Sequence, residues 1–363
     1  GVLLQYADTA ASEETKEAIY SSLKPIAEQK FADEEQSEDF SLLAYADYIR
    51  VKNLAQAEDV SEAMKRNTYD VCYNMDRIVA QREDFTFTVA ANSSRMVTEQ
   101  GNSENILGRY QGQGYTQIYN DDINQYNEDY NATVDPMRLT GVTTAHQKLG
   151  FTAAGQSAFS GGTSLDGING VSGFELTGNK NLTELNGGFG SESATGVKSG
   201  ISAKKSYFVF GNKIVYLGSG ITNNNTDTSV DYVESIVENR KTFDGMTLTV
   251  DGNEKVSENG TETITDPDTA YLSGKTAESG IGYVFLEDGL TLDVKKETRS
   301  GTWNDVNKLA KFTDYTPVQN DFISMAVNHG NDPEADTYAW VTLANVSEEE
   351  LAAYTAAPTI EVL

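Results

Sequence analysis

The sequence predicts a mainly β protein in which a large antiparallel sandwich follows a short helical region. From Phe85 onward, short runs of β-branched and aromatic residues are separated by frequent Gly, Asn and Asp pairs. The first run alternates, with Phe85, Phe87 and Val89 on one face. Before it, apolar residues recur at helical spacing. Regularly spaced short strands with few helical segments between them are typical of an antiparallel sandwich.

Residues 1–83 are predicted to be helical. Ser12 is a suitable N-cap for a first helix, in which Ile19 and Leu23 recur at helical spacing. Pro25 lies inside this pattern, so we expect a kink or a break there. Two more helices are indicated by Phe40, Leu43, Ala44, Ala46 and residues 49–54, and, from Ser61 onward, by Met64, Val71, Met75, Ile78 and Val79. Polar residues fill the remaining positions, so these helices are predicted to be amphipathic and to pack through one face.

Residues 84–346 are predicted to form the sheet domain. Turn pairs recur at 161–162, 166–167, 187–188, 251–252, 259–260 and 288–289. Strand-like runs lie at 207–217, 246–250, 281–286 and 338–343. Residues 347–363 contain a short helical pattern, S-E-E-E-L-A-A-Y-T-A-A, followed by Pro358.

Length and charge limit the possible functions. The chain has 363 residues, enough for about two domains. Its 55 acidic and 27 basic residues give a net charge of -28, which argues against nucleic acid or a membrane surface as a general partner. The single cysteine, Cys72, permits no internal disulfide. There is no signal peptide and no apolar run of about 18 residues, and the chain starts with Gly1, so we expect the gene to begin upstream.

The stretch between Phe85 and Thr144 carries the strongest functional signal. It contains polar side chains at a density that suits the floor of a cleft: Asn92, Arg95, Glu99, Asn102, Glu104, Asn105 and Arg109. Glycines between them allow tight turns or a close approach to a ligand. Its aromatic residues have faces of the kind that stack on sugars: Tyr110, Tyr115, Tyr119, Tyr126 and Tyr130. The alternative is a Gly- and Asn-rich series of β-turns in a secreted sheet protein.

Short motifs in this stretch resemble those of family 8 polysaccharide lyases, which include hyaluronate, chondroitin AC and xanthan lyases. They are N-S-S-R (92–95), E-x-x-N-S-E-N (99–105), G-R-Y-x-G-x-G (108–114), Y-N-E-D-Y (126–130), T-V-D (133–135) and G-V-T-T (141–144). Similar motifs follow in the same order: K-S-Y-F (205–208), I-V-Y-L-G-S-G-I (214–221), V-E-N-R-K (237–241), R-S-G-T-W (299–303) and N-H-G (328–330). The resemblance covers nearly the whole chain and is closest to the xanthan-type members.

The resemblance implies a domain organisation. Residues 1–83 correspond to the last helices of an α/α-toroid catalytic domain, and residues 84–346 correspond to a β-supersandwich. Residues 347–363 correspond to a linker towards a small β-domain that is missing from this chain. The implied source is a secreted bacterial enzyme, and the implied partners are an anionic polysaccharide and the missing N-terminal catalytic half.

The resemblance also implies an activity, cleavage of a uronic acid glycoside by β-elimination. The family removes the C5 proton with a tyrosine while an asparagine and a histidine neutralise the neighbouring carboxylate. These residues correspond to positions upstream of Gly1. We expect His146 to lie in a surface loop and His329 to be structural. No cofactor or metal is predicted, and Gly211, Asn212 and Lys213 stand where xanthan-type relatives bind calcium.

Three residues are implied to contact or organise the cleft. Glu99 corresponds to a glutamate that orients an arginine of the catalytic domain, and Asn102 to an asparagine that hydrogen-bonds substrate. The alternative for this pair is an Asx-turn with a surface carboxylate. Arg299 corresponds to an arginine that binds the pyruvate ketal of a terminal mannose, a carboxylate that a guanidinium can bind bidentately. The alternative is a solvated strand arginine beside Lys295, Lys296 and Glu297.

Some positions depart from the family pattern. Asn131 and Ala132 stand where many relatives have an aromatic residue and a proline, and Thr140 stands where they have a proline, so a sugar-stacking platform is not expected at residue 131. Two other functions stay open at this point. One is a hyaluronate or chondroitin lyase, and the other is a non-catalytic carbohydrate-binding or cell-surface sandwich protein.

Overall fold

A computed structural model describes residues 2–10, 12–32, 45–60, 67–96, 104–122, 124–127, 129–149, 157–178, 199–224, 232–309 and 314–362. The chain forms two compact units, Gly1–Arg66 and Asn67–Leu363. Each unit is built around its own apolar residues.

The first unit is helical, as predicted. Its helices are α1 (Val2–Asp8), α2 (Glu13–Ala32) and α3 (Tyr45–Ala55). Ser12 caps α2, since its hydroxyl accepts a hydrogen bond from the backbone N–H of Thr15 at 3.2 Å. α2 continues through Pro25, so the expected break is not found. The helices enclose a small cluster formed by Leu4, Ala27 and Leu54.

The helical prediction for residues 67–83 is wrong. This segment forms a hairpin of two antiparallel strands, β1 (Thr68–Cys72) and β2 (Arg77–Gln81). Ile78 and Ala80 are buried while their neighbours are not, which is the period of two expected for a strand. The sheet unit therefore begins before residue 68, and the predicted boundary after residue 83 is too late.

The second unit is an antiparallel sheet structure, which confirms the predicted fold class. The remaining strands are β3 (Thr86–Ala90), β4 (Tyr115–Tyr119), β5 (Thr143–Thr144), β6 (Ser160–Ser164), β7 (Gly170–Leu176), β8 (Ile201–Phe210), β9 (Lys213–Asn223), β10 (Glu234–Lys241), β11 (Leu248–Val250), β12 (Asn253–Lys255), β13 (Gly260–Thr265), β14 (Thr269–Leu272), β15 (Gly280–Phe285), β16 (Thr291–Gly301), β17 (Val318–Asn328) and β18 (Asp336–Val346). Short helices are α4 (Tyr130–Thr133), α5 (Trp303–Val306) and α6 (Glu348–Ala356), with a 3-10 turn at Gly108–Tyr110.

These strands form three sheets. The first has the order β1-β2-β3-β4, and the second has the order β13-β16-β17-β10-β5. The third has nine strands in the order β12-β11-β14-β15-β18-β9-β8-β7-β6. The helix α4, which follows β4 in the sequence, packs against both β16 and β17.

One apolar core joins the three sheets. Phe87 and Val89 of β3 are buried in it, as their alternation predicts. The ring of Trp340 stacks on that of Tyr216 with centroids 4.9 Å apart, and Phe87 meets the same tyrosine edge-on at 6.0 Å. Met325 adds a residue of the five-stranded sheet to this cluster. The scaffold around the candidate site is therefore tightly packed.

The helical pattern at residues 347–357 is confirmed, but this segment is not a free linker. Ser347 caps α6 in a reciprocal capping box with Glu350. Leu351 and Tyr354 bury the inner face of α6 in a cluster with Val341 of the nine-stranded sheet. The helix is thus part of the sheet unit.

Candidate functional site

Arg299 lies near the end of β16 and is fixed by three groups. Its Nε donates a hydrogen bond to the carbonyl oxygen of Thr133 at 2.8 Å. Its Nη1 lies 3.6 Å from a carboxylate oxygen of Asp135 and 3.5 Å from one of Glu297. The side chain is 29 % exposed. Arg299 is therefore a positioned, partly accessible guanidinium and not a freely solvated strand arginine.

The charges around Arg299 cancel. The ammonium group of Lys295 pairs with Glu297 at 2.8 Å, so two cations face two carboxylates. Within the described part of the chain, Nη2 of Arg299 has no hydrogen-bond partner. Because the surrounding charges are balanced, an anion could not be held here by a general positive charge. It would be held by hydrogen bonds from the N–H groups of Nη2.

The local sequence R-S-G-T-W explains how Arg299 is held. A Cβ atom on Gly301 would lie only 1.9 Å from the carbonyl oxygen of Ala132, so only glycine fits where β16 crosses α4. Thr302 then starts α5 with a capping box that it forms with Asp305. The indole N–H of Trp303 donates to the carboxylate of Asp129 at 2.6 Å, which ties α5 to the segment before α4.

Glu99 and Asn102 lie outside the residues that the structure describes, so their predicted roles stay predictions. The segments on either side of them are well anchored. Upstream, a guanidinium N–H of Arg95 donates to Asp76 at 2.6 Å and to the carbonyl oxygen of Ser160 at 2.9 Å. Downstream, the backbone N–H of Ile106 donates to the carbonyl oxygen of Val306 at 2.9 Å. The downstream anchor thus joins α5, the helix that directly follows the Arg299 motif.

Most of the tyrosines that suggested sugar stacking are core residues. Tyr110, Tyr115 and Tyr130 are buried, and only Tyr119 is substantially exposed, at 37 %. Burial raises the pKa of Tyr115 well above its ordinary value, and it raises the pKa of Tyr130 in the same direction. These phenols are therefore unsuited to act as proton acceptors at neutral pH, and the stacking interpretation is wrong for the three buried rings.

His329 is a structural residue, as expected from the sequence. Its Nδ1 lies 2.8 Å from Asp336 and its Nε2 lies 2.9 Å from the hydroxyl of Ser235. This hydrogen bond lowers the pKa of Asp336 below its ordinary value. The Asp–His–Ser order is that of a hydrolase triad, but Ser235 is 1 % exposed and its hydroxyl also contacts Thr143 at 2.8 Å. A nucleophile must be reached by its substrate, so this chain of hydrogen bonds is structural.

His146 lies in a loop, as the sequence suggested, but its side chain is only 25 % exposed. Its Nε2 lies 2.8 Å from a carboxylate oxygen of Glu234, which is completely buried. Nε of Arg138 lies 3.2 Å from the same oxygen. The imidazole also packs against Tyr232, with ring centroids 4.7 Å apart. Both histidines are thus committed to contacts inside the sheet unit.

The motif V-E-N-R-K forms a buried polar network that sequence inspection did not reveal. One carboxylate oxygen of Glu238 accepts from Thr140 at 3.0 Å, and the other accepts from the hydroxyl of Tyr283 at 2.9 Å. Arg240 lies 3.4 Å from the same carboxylate and donates to the carbonyl oxygen of Ile118 at 2.7 Å. The only sequence signal for it was a strand of mostly polar and charged residues, in which Ile236 and Val237 are the only apolar ones. This motif stabilises the sandwich and lies away from solvent.

The described residues show no set of three or more His, Cys, Asp and Glu side chains arranged to hold a metal ion. Among their helices, none combines the length and apolar character that a membrane span requires.

Comparisons with known proteins agree with this architecture. The model of the super-sandwich domain of polysaccharide lyase family 8 matches residues 68–355. Xanthan lyase of Bacillus sp. (strain GL1) is 34 % identical over 329 residues, which cover 87 % of this chain and 32 % of that protein. Hyaluronate lyase HylB of Enterococcus faecalis is 33 % identical over 297 residues, which cover 80 % of this chain and 28 % of that protein.

A solved structure extends the likeness to three dimensions. The structure of Paenibacillus xanthan lyase matches with a TM-score of 0.84 and 29 % identity, covering 99 % of this chain and 32 % of that one. The chain thus spans about a third of the length of these relatives.

Proposed function

The chain belongs to polysaccharide lyase family 8, and we propose from this that it forms the sheet-domain part of an enzyme that cleaves a uronic-acid-containing polysaccharide by β-elimination. The proposed substrate is xanthan, from which the enzyme would remove the terminal pyruvylated mannose. Hyaluronan and chondroitin are the alternative substrates, since a hyaluronate lyase is 33 % identical and a chondroitinase AC is 26 % identical to this chain over the matched residues. A polymeric substrate requires an enzyme outside the cell, so secretion is part of the proposal.

The chain's proposed contribution is one wall of the substrate cleft. β-elimination needs a base for the C5 proton and groups that neutralise the adjacent carboxylate. His146 and His329 are engaged in internal contacts, and the tyrosines beside the candidate site are buried. We therefore assign proton transfer to a part of the protein outside this chain and substrate positioning to Arg299 and to the predicted pair Glu99 and Asn102.

The observation that carries the proposal is the arrangement of Arg299. Thr133, Asp135 and Glu297 hold the guanidinium in one orientation and leave Nη2 without a partner in the described residues. A guanidinium fixed in this way can select a carboxylate by geometry, which suits a pyruvate ketal on a sugar. Because the charges around Arg299 balance, a general attraction between the protein and any polyanion does not explain selectivity at this site.

The test uses the complete enzyme that contains this chain. Arg299→Ala is expected to lower kcat/KM on pyruvylated xanthan at least roughly thirtyfold. This corresponds to a loss of about 2–5 kcal/mol of transition-state stabilisation, because a partly desolvated charge pair is lost. Depyruvylated xanthan should be affected far less. Lys308→Ala, which removes a cation just beyond α5, is the matched control and should leave both rates close to wild type. The assay is the ultraviolet absorbance of the unsaturated uronate product.

Three results would contradict parts of the proposal. Equal losses on both forms of xanthan would mean that Arg299 does not contact the ketal. Turnover of hyaluronan or chondroitin without turnover of xanthan would mean that the proposed substrate is wrong. No unsaturated product from any of the three polymers would favour the non-catalytic carbohydrate-binding function instead.

A further inference from the structure

A polar groove of about 390 Å³ lies at one end of the five-stranded sheet. It is bounded by the turn after β10 and by the paired ends of β16 and β17. Its lining includes Phe243, Asp244, Lys296, Gln319 and Asp321. We call it the β10-turn groove. Its volume lies within the range typical of small-ligand sites, roughly 300–1,000 Å³.

Two of the polar side chains in the groove are fixed through one atom and open through the other. The hydroxyl of Thr298 donates to Oδ1 of Asp321 at 2.5 Å, and that of Ser300 donates to Oε1 of Gln319 at 3.3 Å. Oδ2 of Asp321 and Nε2 of Gln319 have no partner within the part of the chain that the structure describes. The groove thus presents a pre-oriented acceptor beside a pre-oriented donor, which lowers the entropic cost of binding a ligand.

The charges of the groove favour a neutral ligand. Asp244 and Asp321 supply two carboxylates, and Lys296 supplies one ammonium group, which also donates to the carbonyl oxygen of Ser257 at 3.0 Å. A uronate would meet a net negative site, whereas hydroxyl groups can donate to the carboxylates and accept from the ammonium and amide groups. Phe243 adds a half-buried ring at the wall, with the Nζ of Lys275 5.8 Å from its centroid.

Most of the strand residues that line the groove face away from Arg299. Arg299 pairs with Asn320 across the two strands, and the next pair is Ser300 with Gln319. Because successive side chains on a strand point to opposite faces, Gln319 faces away from Arg299. Gln319 and Asp321 therefore lie on the face of the strand pair opposite Arg299, while Asn320, which also lines the groove, lies on the Arg299 face.

We propose that the β10-turn groove is a second glycan-binding site, specific for neutral hexose units. This inference rests on the proposed function in one respect, that the ligand is part of a polysaccharide. Its carboxylates, amide and ammonium group bind sugar hydroxyls, and Phe243 contacts the apolar edge of a ring. A polymer that carries neutral and acidic sugars would place its acidic units at Arg299 and its neutral units here.

The test is calorimetric titration of the full chain with two probes, cellohexaose as a neutral oligosaccharide and a hyaluronan hexasaccharide as a uronate-containing one. Cellohexaose should bind, and Gln319→Ala and Asp244→Asn should each weaken it about three- to tenfold, as expected for one lost hydrogen bond. Asp288→Asn is the matched control, since Asp288, like Asp244, is an exposed turn residue followed by a glycine with positive φ. It should leave the affinity unchanged.

The outcomes separate this inference from the proposed function. Absent cellohexaose binding, or binding that neither groove variant weakens, would overturn the inference even if the complete enzyme is an active lyase. Stronger binding of the hyaluronan probe, weakened by the same variants, would overturn the neutral specificity. Groove-dependent cellohexaose binding by a chain whose complete protein shows no lyase activity would support the inference and contradict the proposed function.

Discussion

Lys205 is expected to make the stability of the sheet unit depend on pH. It is 1 % exposed, and its ammonium group donates to the carbonyl oxygen of Gly141 and, at 3.1 Å, to the hydroxyl of Thr143. The described residues place no carboxylate in an ion pair with it. Burial without a counter-charge lowers the pKa of Lys205 from 10.5 to about 7.

The direction in which the free energy of unfolding changes with pH follows from the protonation of Lys205 in the folded and unfolded chain. Between pH 7 and pH 10.5 the unfolded chain holds a proton on Lys205 that the folded chain has released. The free energy of unfolding therefore rises with pH across this window, at up to about 1.4 kcal/mol per pH unit. From pH 7 to about pH 9 the expected gain is about 2 kcal/mol. Below this window both states are protonated, and above it both are neutral, so the contribution becomes constant.

The test compares the wild type with Lys205→Met. The variant leaves the buried carbonyl oxygen of Gly141 without the donor that Lys205 supplied, which costs about 1–3 kcal/mol at every pH, but it cannot titrate. Denaturant unfolding at several pH values from 7 to 9 should show the wild type gaining stability relative to Lys205→Met. Trp303 and Trp340, the only two tryptophans, both report on the sheet unit.

The matched control is Lys204→Met, which removes the neighbouring, exposed ammonium group of β8. Its pH dependence should follow that of the wild type. If Lys205→Met and the wild type change in parallel between pH 7 and pH 9, Lys205 does not titrate in this window and the reasoning from its burial is wrong.

Three further predictions follow from the site. In the complete enzyme, Glu99→Gln should lower kcat while sparing KM, since an orienting group acts mainly in the transition state, and steady-state kinetics with circular dichroism as a folding check would test this. Asn102→Ala should change both kcat and KM by about 0.5–1.5 kcal/mol through loss of a substrate hydrogen bond, and wild-type kinetics in both variants would mean that the stretch is only scaffold. Gly301→Ala should destabilise the sheet unit by roughly 1–3 kcal/mol in denaturant unfolding, because its Cβ meets the backbone of α4, whereas Gly161→Ala, with nothing within 4 Å, should change stability little.

Local sequence patterns predicted the strands and helices whose formation depends on neighbouring residues in the chain. Phe85, Phe87 and Val89 alternate because one face of β3 is buried, and Ser347 starts α6 because its hydroxyl caps the helix. The hairpin at residues 68–81 was missed because the spacing of Val71, Ile78 and Val79 fits a helix as well as two short strands.

The neighbours of Arg299 could not be read from the sequence. Thr133 lies 166 positions away, and it reaches Arg299 only because α4 packs against the end of β16. The buried tyrosines show the same limit: Tyr130 packs against Phe322 of β17 with ring centroids 6.1 Å apart. An amphipathic ring has the same local sequence signal in a core as on a sugar-binding surface.

The position of β18 has a consequence for how the chain is made. This strand lies between β15 and β9 in the nine-stranded sheet, yet it follows both of them in the sequence. Until it emerges from the ribosome, β9 and β15 each expose an unpaired edge, and such edges are prone to pair with other chains. Pairing of partners so distant in sequence is also slow. The nascent sheet therefore has to be kept from self-association until Asp336–Val346 is available to close it.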